Sequence, residues 1–126
     1  MARRPQDHLA DVLEAIAKIR EYSKGGEEAF RSSSMVRDAV ATRLMQIGQA
    51  VKDAQDEGLD LDRLAPGVPW RNIAGMRDRF AHKYWNVDHA IVWGVVESEL
   101  SKLERAARAV LAKRATRRPV RKKRSA

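Results

Sequence analysis

One short segment of the chain carries four side chains with reactive groups, a guanidinium, a carboxylate, an imidazole and a phenol: Arg77, Asp78, His82 and Tyr84. Imidazole has an unperturbed pKa of about 6.5, so it can take up and release a proton near neutrality. A guanidinium matches the oxygens of a phosphate through paired hydrogen bonds. Together these groups predict cleavage of a phosphodiester without a metal ion, and no cofactor is expected.

In metal-free cleavage of RNA, a base removes the proton of a ribose 2′-OH, which attacks the adjacent phosphorus while a cation stabilises the phosphate oxygens. His82 is the candidate acid and base, and Arg77 is the candidate phosphate clamp. Asp78 lies one helical turn before His82. Its carboxylate either orients the imidazole through a ring nitrogen or forms only an exposed pair worth roughly 0.2–0.5 kcal/mol. The neighbouring cations Arg79 and Lys83 are predicted RNA contacts.

The spacing of Arg77 and His82 raises a geometric problem. Five residues correspond to a rotation that leaves the two side chains roughly 140° apart on a straight helix. Either the helix ends or bulges near His82, or two copies of the cluster meet across a homodimer. The spacing alone is weak evidence for a catalytic site, because Arg3 and His8 repeat it near the N-terminus without a further polar partner. We interpret that second match as chance.

The elements that must position this cluster are helices. Apolar residues recur at helical spacing in four stretches, separated by glycine and proline, and no stretch shows the alternation of an exposed strand. The four helices are predicted to follow Asp7, the serines of 32–34, Pro69 and Asp88, with ends at Gly25-Gly26 and Gly58 and a connecting loop over residues 58–69. The sequence therefore predicts an all-α, antiparallel up-down bundle.

Two further expectations concern packing. Gly48 interrupts the apolar stripe of the second helix, and a glycine there costs about 1 kcal/mol against alanine, so we expect a close helix contact at this point. The three tryptophans, Trp70, Trp85 and Trp93, all fall in the second half of the chain. We interpret them as core or interface residues rather than as platforms for stacking bases.

Composition restricts the class of protein. The chain has 126 residues, the size of one domain, and it has no cysteine. Disulfides, thiolate-bound zinc and a thiol nucleophile are therefore excluded. No apolar run approaches the roughly 20 residues that cross a bilayer, and the first residues do not resemble a secretory signal. We expect a cytoplasmic protein that does not contact a membrane.

The formal charge of +8 is concentrated at one end. Residues 113–126 hold eight basic residues and no acidic one, whereas residues 1–112 hold seventeen of each sign. The sequence therefore predicts a helical domain at 1–112 and a disordered basic tail at 113–126 that attracts polyanions. The predicted RNA contacts of the tail are Arg117, Arg118, Lys122 and Lys123. A solubilising tail is the equally supported alternative.

The cluster also carries a family resemblance. Arg77, His82 and Tyr84 match the pattern arginine, four residues, histidine, one residue, tyrosine, which resembles the signature of the HepT toxins of the HEPN superfamily. The likeness covers roughly residues 8 to 104. It includes further family features at Phe30, Gly48-Gln49-Ala50, Pro69-Trp70, Gly75-Met76-Arg77, Val87-Asp88 and Trp93, with Gln49 where the family usually has glutamate.

This resemblance implies a helical homodimer with a composite cleft and RNA cleavage by Arg77 and His82. It also implies a partner antitoxin with a minimal nucleotidyltransferase fold, which can transfer an adenylyl group to the motif tyrosine, here Tyr84. A phosphate added beside Arg77 would occupy the clamp and repel RNA. The alternative is a non-catalytic helical subunit that binds nucleotide or substrate for a minimal nucleotidyltransferase.

Overall fold

The computed structural model describes residues 4–83 and 88–124, and for residue 83 and residues 114–124 it describes the backbone alone. The secondary structure of the described residues is helical, with no strand, so the predicted all-α bundle is confirmed. The elements are α1 (Asp7–Tyr22), α2 (Gly26–Ser32), α3 (Ser34–Asp56), α4 (Leu61–Leu64), α5 (Trp70–Ala74), α6 (Met76–Lys83), α7 (His89–Gly94), a π-helical turn (Val95–Glu99) and α8 (Leu100–Arg124).

The core forms where α1, α3 and α8 pack together. Their apolar stripes are fully buried, as at Leu9 and Ile16 of α1, Leu44 of α3 and Ala107 of α8. Helices α1 and α3 run antiparallel, because the start of α1 meets the end of α3 through a 3.1 Å contact between His8 Nε2 and Glu57, whereas its end lies beside Arg43. None of the helices in the described part of the chain is long and apolar enough to cross a membrane.

An ion pair joins α1 to α8 at the edge of this core. Arg20 donates to the Glu104 carboxylate at 2.7 Å, and Arg108 donates to its other oxygen at 3.0 Å. These hydrogen bonds, that of Arg20 first, hold the pKa of Glu104 below its usual range. The pair therefore fixes α8 beside α1 at pH values where this carboxylate is ionised.

Two helices begin at side-chain caps in the places that the sequence predicts. The Ser33 hydroxyl accepts from the backbone N–H of Val36 at 3.2 Å, and the Asp88 carboxylate accepts from that of Ala90 at 2.8 Å. Asp7 was predicted as a cap but lies inside the first turn of α1, where it accepts from the backbone N–H of Arg4 at 2.9 Å. The chain already turns at Pro5, which places the cap position one residue earlier.

The predicted third and fourth helices differ in detail from those in the structure. The third is divided at Gly75 into α5 and α6, and the fourth contains the π-helical turn between α7 and α8. Short helices also form where the sequence predicts only a break and a loop, at α2 and α4. The backbone of α8 continues to Arg124, into the segment predicted as a disordered tail. The division of the chain at residue 112 stays a prediction.

The close contact predicted at Gly48 is confirmed. A Cβ built on Gly48 would lie 2.9 Å from the backbone oxygen of Ile73 and 3.0 Å from the backbone nitrogen of Arg77. Both neighbours are backbone atoms of α5 and α6, so they cannot move aside like the end of a flexible side chain. The glycine therefore lets α3 lie directly against the helix that carries the reactive cluster.

Replacing Gly48 by alanine is expected to destabilise the protein. Although alanine favours a helix, the added methyl group would force α3 away from α5 and α6, and overpacking of this kind costs about 1–3 kcal/mol. The matched control is Gly94→Ala, because a Cβ there meets nothing within 4 Å. Gly94→Ala should raise or preserve the free energy of unfolding, by up to about 1 kcal/mol. Equal changes in denaturant unfolding for the two variants would contradict the packing account.

Candidate active site on helix α6

Helix α6 presents the predicted catalytic residues to solvent. It follows the break at Gly75, lies against α3 and carries Arg77, Asp78 and His82. The side chain of Arg77 is 55% exposed and that of Asp78 is 70% exposed. Met76 and Phe80 face the core instead. The apolar side of α6 thus holds the helix in place while its polar side remains accessible to a ligand.

The imidazole of His82 is oriented by a backbone carbonyl. Its Nδ1 lies 2.8 Å from the carbonyl oxygen of Asp78. A carbonyl oxygen can only accept a hydrogen bond, so Nδ1 carries the proton and the neutral ring keeps a free lone pair on Nε2. The contact of Asp78 with the ring is made by its main chain, and the catalytic role of its carboxylate stays a prediction.

The carboxylate of Asp78 faces cations instead. One oxygen lies 3.5 Å from Nη1 of Arg77. The hydrogen bond from Lys52 of α3 to Asp56 is the largest cause that raises the pKa of the Lys52 ammonium, and the charge of Asp78 on α6 adds a smaller contribution. Lys52 was not predicted from the sequence, because only the packing of α3 against α6 relates it to the cluster.

Arg77 and His82 point in different directions within one chain. Helix α6 runs unbroken from Met76 to Lys83, so the rotation of roughly 140° expected for residues five apart persists. No break of the helix lies between the two residues. The backbone therefore directs the Cβ atoms of Arg77 and His82 to different sides of α6, although the guanidinium and the imidazole each contact a different part of Asp78.

Arg79 contacts the protein main chain, and the other predicted RNA contacts lie outside the described side chains. The guanidinium of Arg79 folds back and donates to the carbonyl of Asn72 at 2.8 Å. It also borders a largely apolar cavity of about 300 Å³ between α3, α5, α6 and the start of α8, which Arg77, Asp78 and His82 do not line. Tyr84 and Trp85 lie outside the described residues. So do the side chains of Lys83, Arg117, Arg118, Lys122 and Lys123.

Other residues named by the sequence analysis have structural partners. His8 is buried and its Nε2 contacts the Glu57 carboxylate, so this histidine supports the packing of α1 on α3. Gln49, which stands where the family usually has glutamate, donates to the Asp53 carboxylate at 2.8 Å. Among the residues that the structure describes, no group of three or more histidine or carboxylate side chains is arranged to hold a metal ion.

Trp70 and Trp93 are packed as predicted. Trp70 is buried and its indole Nε1 donates to the carbonyl of Ala65 at 3.0 Å. The ring of Trp93 lies 5.3 Å from that of Phe30, with the two rings tilted. Trp70 is therefore a core residue, and the partly buried ring of Trp93 packs against Phe30 and the core.

The all-α bundle and the exposed arginine and histidine of α6 agree with the expectation drawn from the resemblance to the HEPN superfamily. Comparison with known families agrees: residues 12–110 match the family model described as "Ribonuclease HepT-like". The chain therefore belongs to the HepT-like ribonuclease family.

Individual relatives cover most of the chain. It is 35% identical to a protein of Thermococcus cleftensis named "Probable ribonuclease HepT", over 82% of this chain and 93% of that protein. It is 32% identical to a "Putative RNase" of Caldanaerobacter subterraneus subsp. tengcongensis, over 86% and 96% of the two chains. A further "Putative RNase", from Methanocaldococcus jannaschii, is 30% identical over 77% and 87%. No solved structure matches the chain at a significant level.

The contact between His82 and Asp78 predicts which nitrogen of the imidazole carries the proton. Nitrogen NMR of the neutral imidazole should show the Nδ1–H form for His82. Asp78→Asn should preserve that form, because it leaves the backbone carbonyl in place.

The matched control is Glu57→Gln, which alters a direct contact between a carboxylate and His8. It should shift the ring resonances of His8 and leave those of His82 unchanged. An Nε2–H form of His82 in the wild type, or its appearance in Asp78→Asn, would contradict orientation by the main chain.

Proposed function

We propose that this protein is an endoribonuclease of the HepT type that cleaves RNA without a metal ion. Membership of the HepT-like ribonuclease family and the names of the relatives support the ribonuclease assignment. The observation that carries the mechanism is the 2.8 Å contact between Nδ1 of His82 and the carbonyl of Asp78. It leaves Nε2 free to accept a proton on the exposed side of α6.

In the proposed reaction, Nε2 of His82 removes the proton of a ribose 2′-OH. The 2′ oxygen then forms a bond to the adjacent phosphorus, while the bond from phosphorus to the 5′ oxygen of the next nucleotide breaks. The protonated His82 returns this proton, through water, to the departing 5′ oxygen, and a 2′,3′-cyclic phosphate remains on the upstream fragment. Arg77 stabilises the charge that develops on the phosphate oxygens, and the Asp78 carboxylate steadies the neighbouring guanidinium.

We propose a homodimer as the active species. Backbone directions roughly 140° apart do not favour a meeting of the guanidinium and the imidazole at one phosphate within a subunit. A second copy related by a two-fold axis can supply the missing group, so that Arg77 of one subunit works with His82 of the other. Both side chains are exposed in the single chain, which leaves them available to such a cleft.

The regulatory part of the proposal rests on the family resemblance. We propose that the protein is the toxin of a toxin–antitoxin pair whose antitoxin is a minimal nucleotidyltransferase. Adenylylation of Tyr84 would place a phosphate two residues beyond His82, where its charge competes with RNA for Arg77. Lys83 and the cations at 117, 118, 122 and 123 are the proposed further RNA contacts.

Replacing His82 by glutamine tests the catalytic assignment. Glutamine retains hydrogen bonding but cannot exchange a proton near neutrality, so cleavage of a labelled single-stranded RNA in EDTA should fall by about 10²–10⁴-fold. His89→Gln is the control, since His89 is exposed on α7 and its ring contacts Phe30 rather than the cluster. The wild-type product should carry a 2′,3′-cyclic phosphate.

Wild-type cleavage rates in purified His82→Gln would contradict this mechanism. RNA binding by the wild type without any cleavage would favour the alternative, a binding subunit that presents its ligand to a nucleotidyltransferase. In that case His82→Gln should leave the affinity for RNA nearly unchanged.

Removing the basic tail tests its proposed contact with RNA. The deletion should begin at residue 114, because the ammonium of Lys113 donates to the Leu64 carbonyl and belongs to the folded part. Loss of the following cations should flatten the dependence of RNA affinity on salt, since fewer counterions are released. The cleavage pattern should not change. A full-length variant with glutamine at 117, 118, 122 and 123 controls for chain length, and an unaltered salt slope in both would contradict the contact.

A further inference from the structure

Arg79 closes the junction between α5 and α6. Its guanidinium donates to the carbonyl of Asn72, seven residues earlier, at 2.8 Å, and its backbone N–H donates to the carbonyl of Gly75 at 3.2 Å. The last carbonyls of a helix have no partner within that helix, and an arginine can satisfy one of them. One residue of α6 thus caps the end of α5 with its side chain.

Gly75 provides the space for this bridge. A Cβ built on Gly75 would lie 3.0 Å from Nη1 of Arg79, which is closer than ordinary van der Waals contact. The backbone of Gly75 is right-handed, with φ −82° and ψ −6°, so its conformation does not require glycine. The missing side chain therefore serves the passage of the guanidinium across the junction rather than the turn itself.

The bridge joins an anchored helix to the helix that carries the cluster. Helix α5 is fixed in the core by Trp70, which is buried and bonded to Ala65, and by the contact of Ile73 with Gly48. Helix α6 continues from this anchor and bears Arg77 and His82 on its exposed side. The angle between the two helices decides where both side chains point.

We propose that Arg79 is a positioning residue that sets the direction of α6, and so of Arg77 and His82, by holding the Asn72 carbonyl across Gly75. This inference deepens the proposed ribonuclease function and rests on it. It is an alternative to the prediction that Arg79 contacts RNA, since one N–H of the guanidinium is engaged with the protein main chain. Arg79 acts on the reaction only through the two catalytic side chains.

The test compares Arg79→Met with Arg71→Met in cleavage of a labelled single-stranded RNA in EDTA at several salt concentrations. Both variants remove one exposed arginine from the same segment, but only Arg79 bridges the junction. Arg79→Met should lower kcat on the order of tenfold or more, because small displacements of catalytic groups are costly. Its KM and salt slope should match those of Arg71→Met. Arg79→Lys keeps a donor for one carbonyl and should recover part of kcat.

Gly75→Ala probes the same bridge from the other side. Its methyl group would push the guanidinium by a few tenths of an ångström, so kcat should fall less than in Arg79→Met. Since both changes act on one contact, the double variant should be no slower than Arg79→Met alone. Multiplicative losses would mean that Gly75 and Arg79 act independently and would overturn the proposed bridge.

Hydrogen exchange provides a readout that does not depend on activity. Arg79→Met should speed amide exchange in α6 relative to Arg71→Met and leave α1 unchanged. A raised KM and a reduced salt slope, with kcat and α6 exchange as in the wild type, would instead make Arg79 an RNA contact and overturn the proposal. If the wild type cleaves no RNA, the ribonuclease function fails, and exchange in α6 alone decides whether the bridge exists.

Discussion

The close approach of α3 to α5 and α6 at Gly48 is the contact on which the candidate site depends. It places backbone against backbone, with no side chain between the central core helix and the short helix that bears Arg77 and His82. Helix α6 has only eight residues, and isolated helices of that length are marginal in water. Its geometry must therefore come from its tertiary contacts, of which Gly48 is the tightest on the α3 side.

The polar groups of α6 have different roles. The main chain of Asp78 holds one nitrogen of His82, whereas the side chain of Asp78 lies beside the guanidinium of Arg77. A backbone acceptor has no charge to lose, so the tautomer of His82 does not depend on protonation of the Asp78 carboxylate. The carboxylate instead moderates the positive charge around Arg77, where the proposed phosphate would bind.

The sequence was sufficient to predict the all-α fold, the helix starts at the serines of 32–34 and at Asp88, and the contact at Gly48, because local spacing and residue type decide these features. It also located the exposed cluster. It missed the break at Gly75, since a right-handed glycine leaves no signal beyond its small size. Lys52 and the bond from Arg79 to Asn72 were also missed, because they arise when helices meet rather than from spacing along one helix.

The central claim is that a guanidinium and an imidazole from two copies of α6 converge on one phosphate, and mixing two inactive variants tests it most directly. Arg77→Ala and His82→Ala should each be inactive against single-stranded RNA as purified proteins. After subunit exchange in an equimolar mixture, about half of the dimers contain one subunit of each variant. One of the two sites in such a dimer combines an intact Arg77 with an intact His82, so activity should return to roughly a quarter of the wild-type level. A mixture that stays inactive, although differently tagged subunits demonstrably pair, would contradict the account.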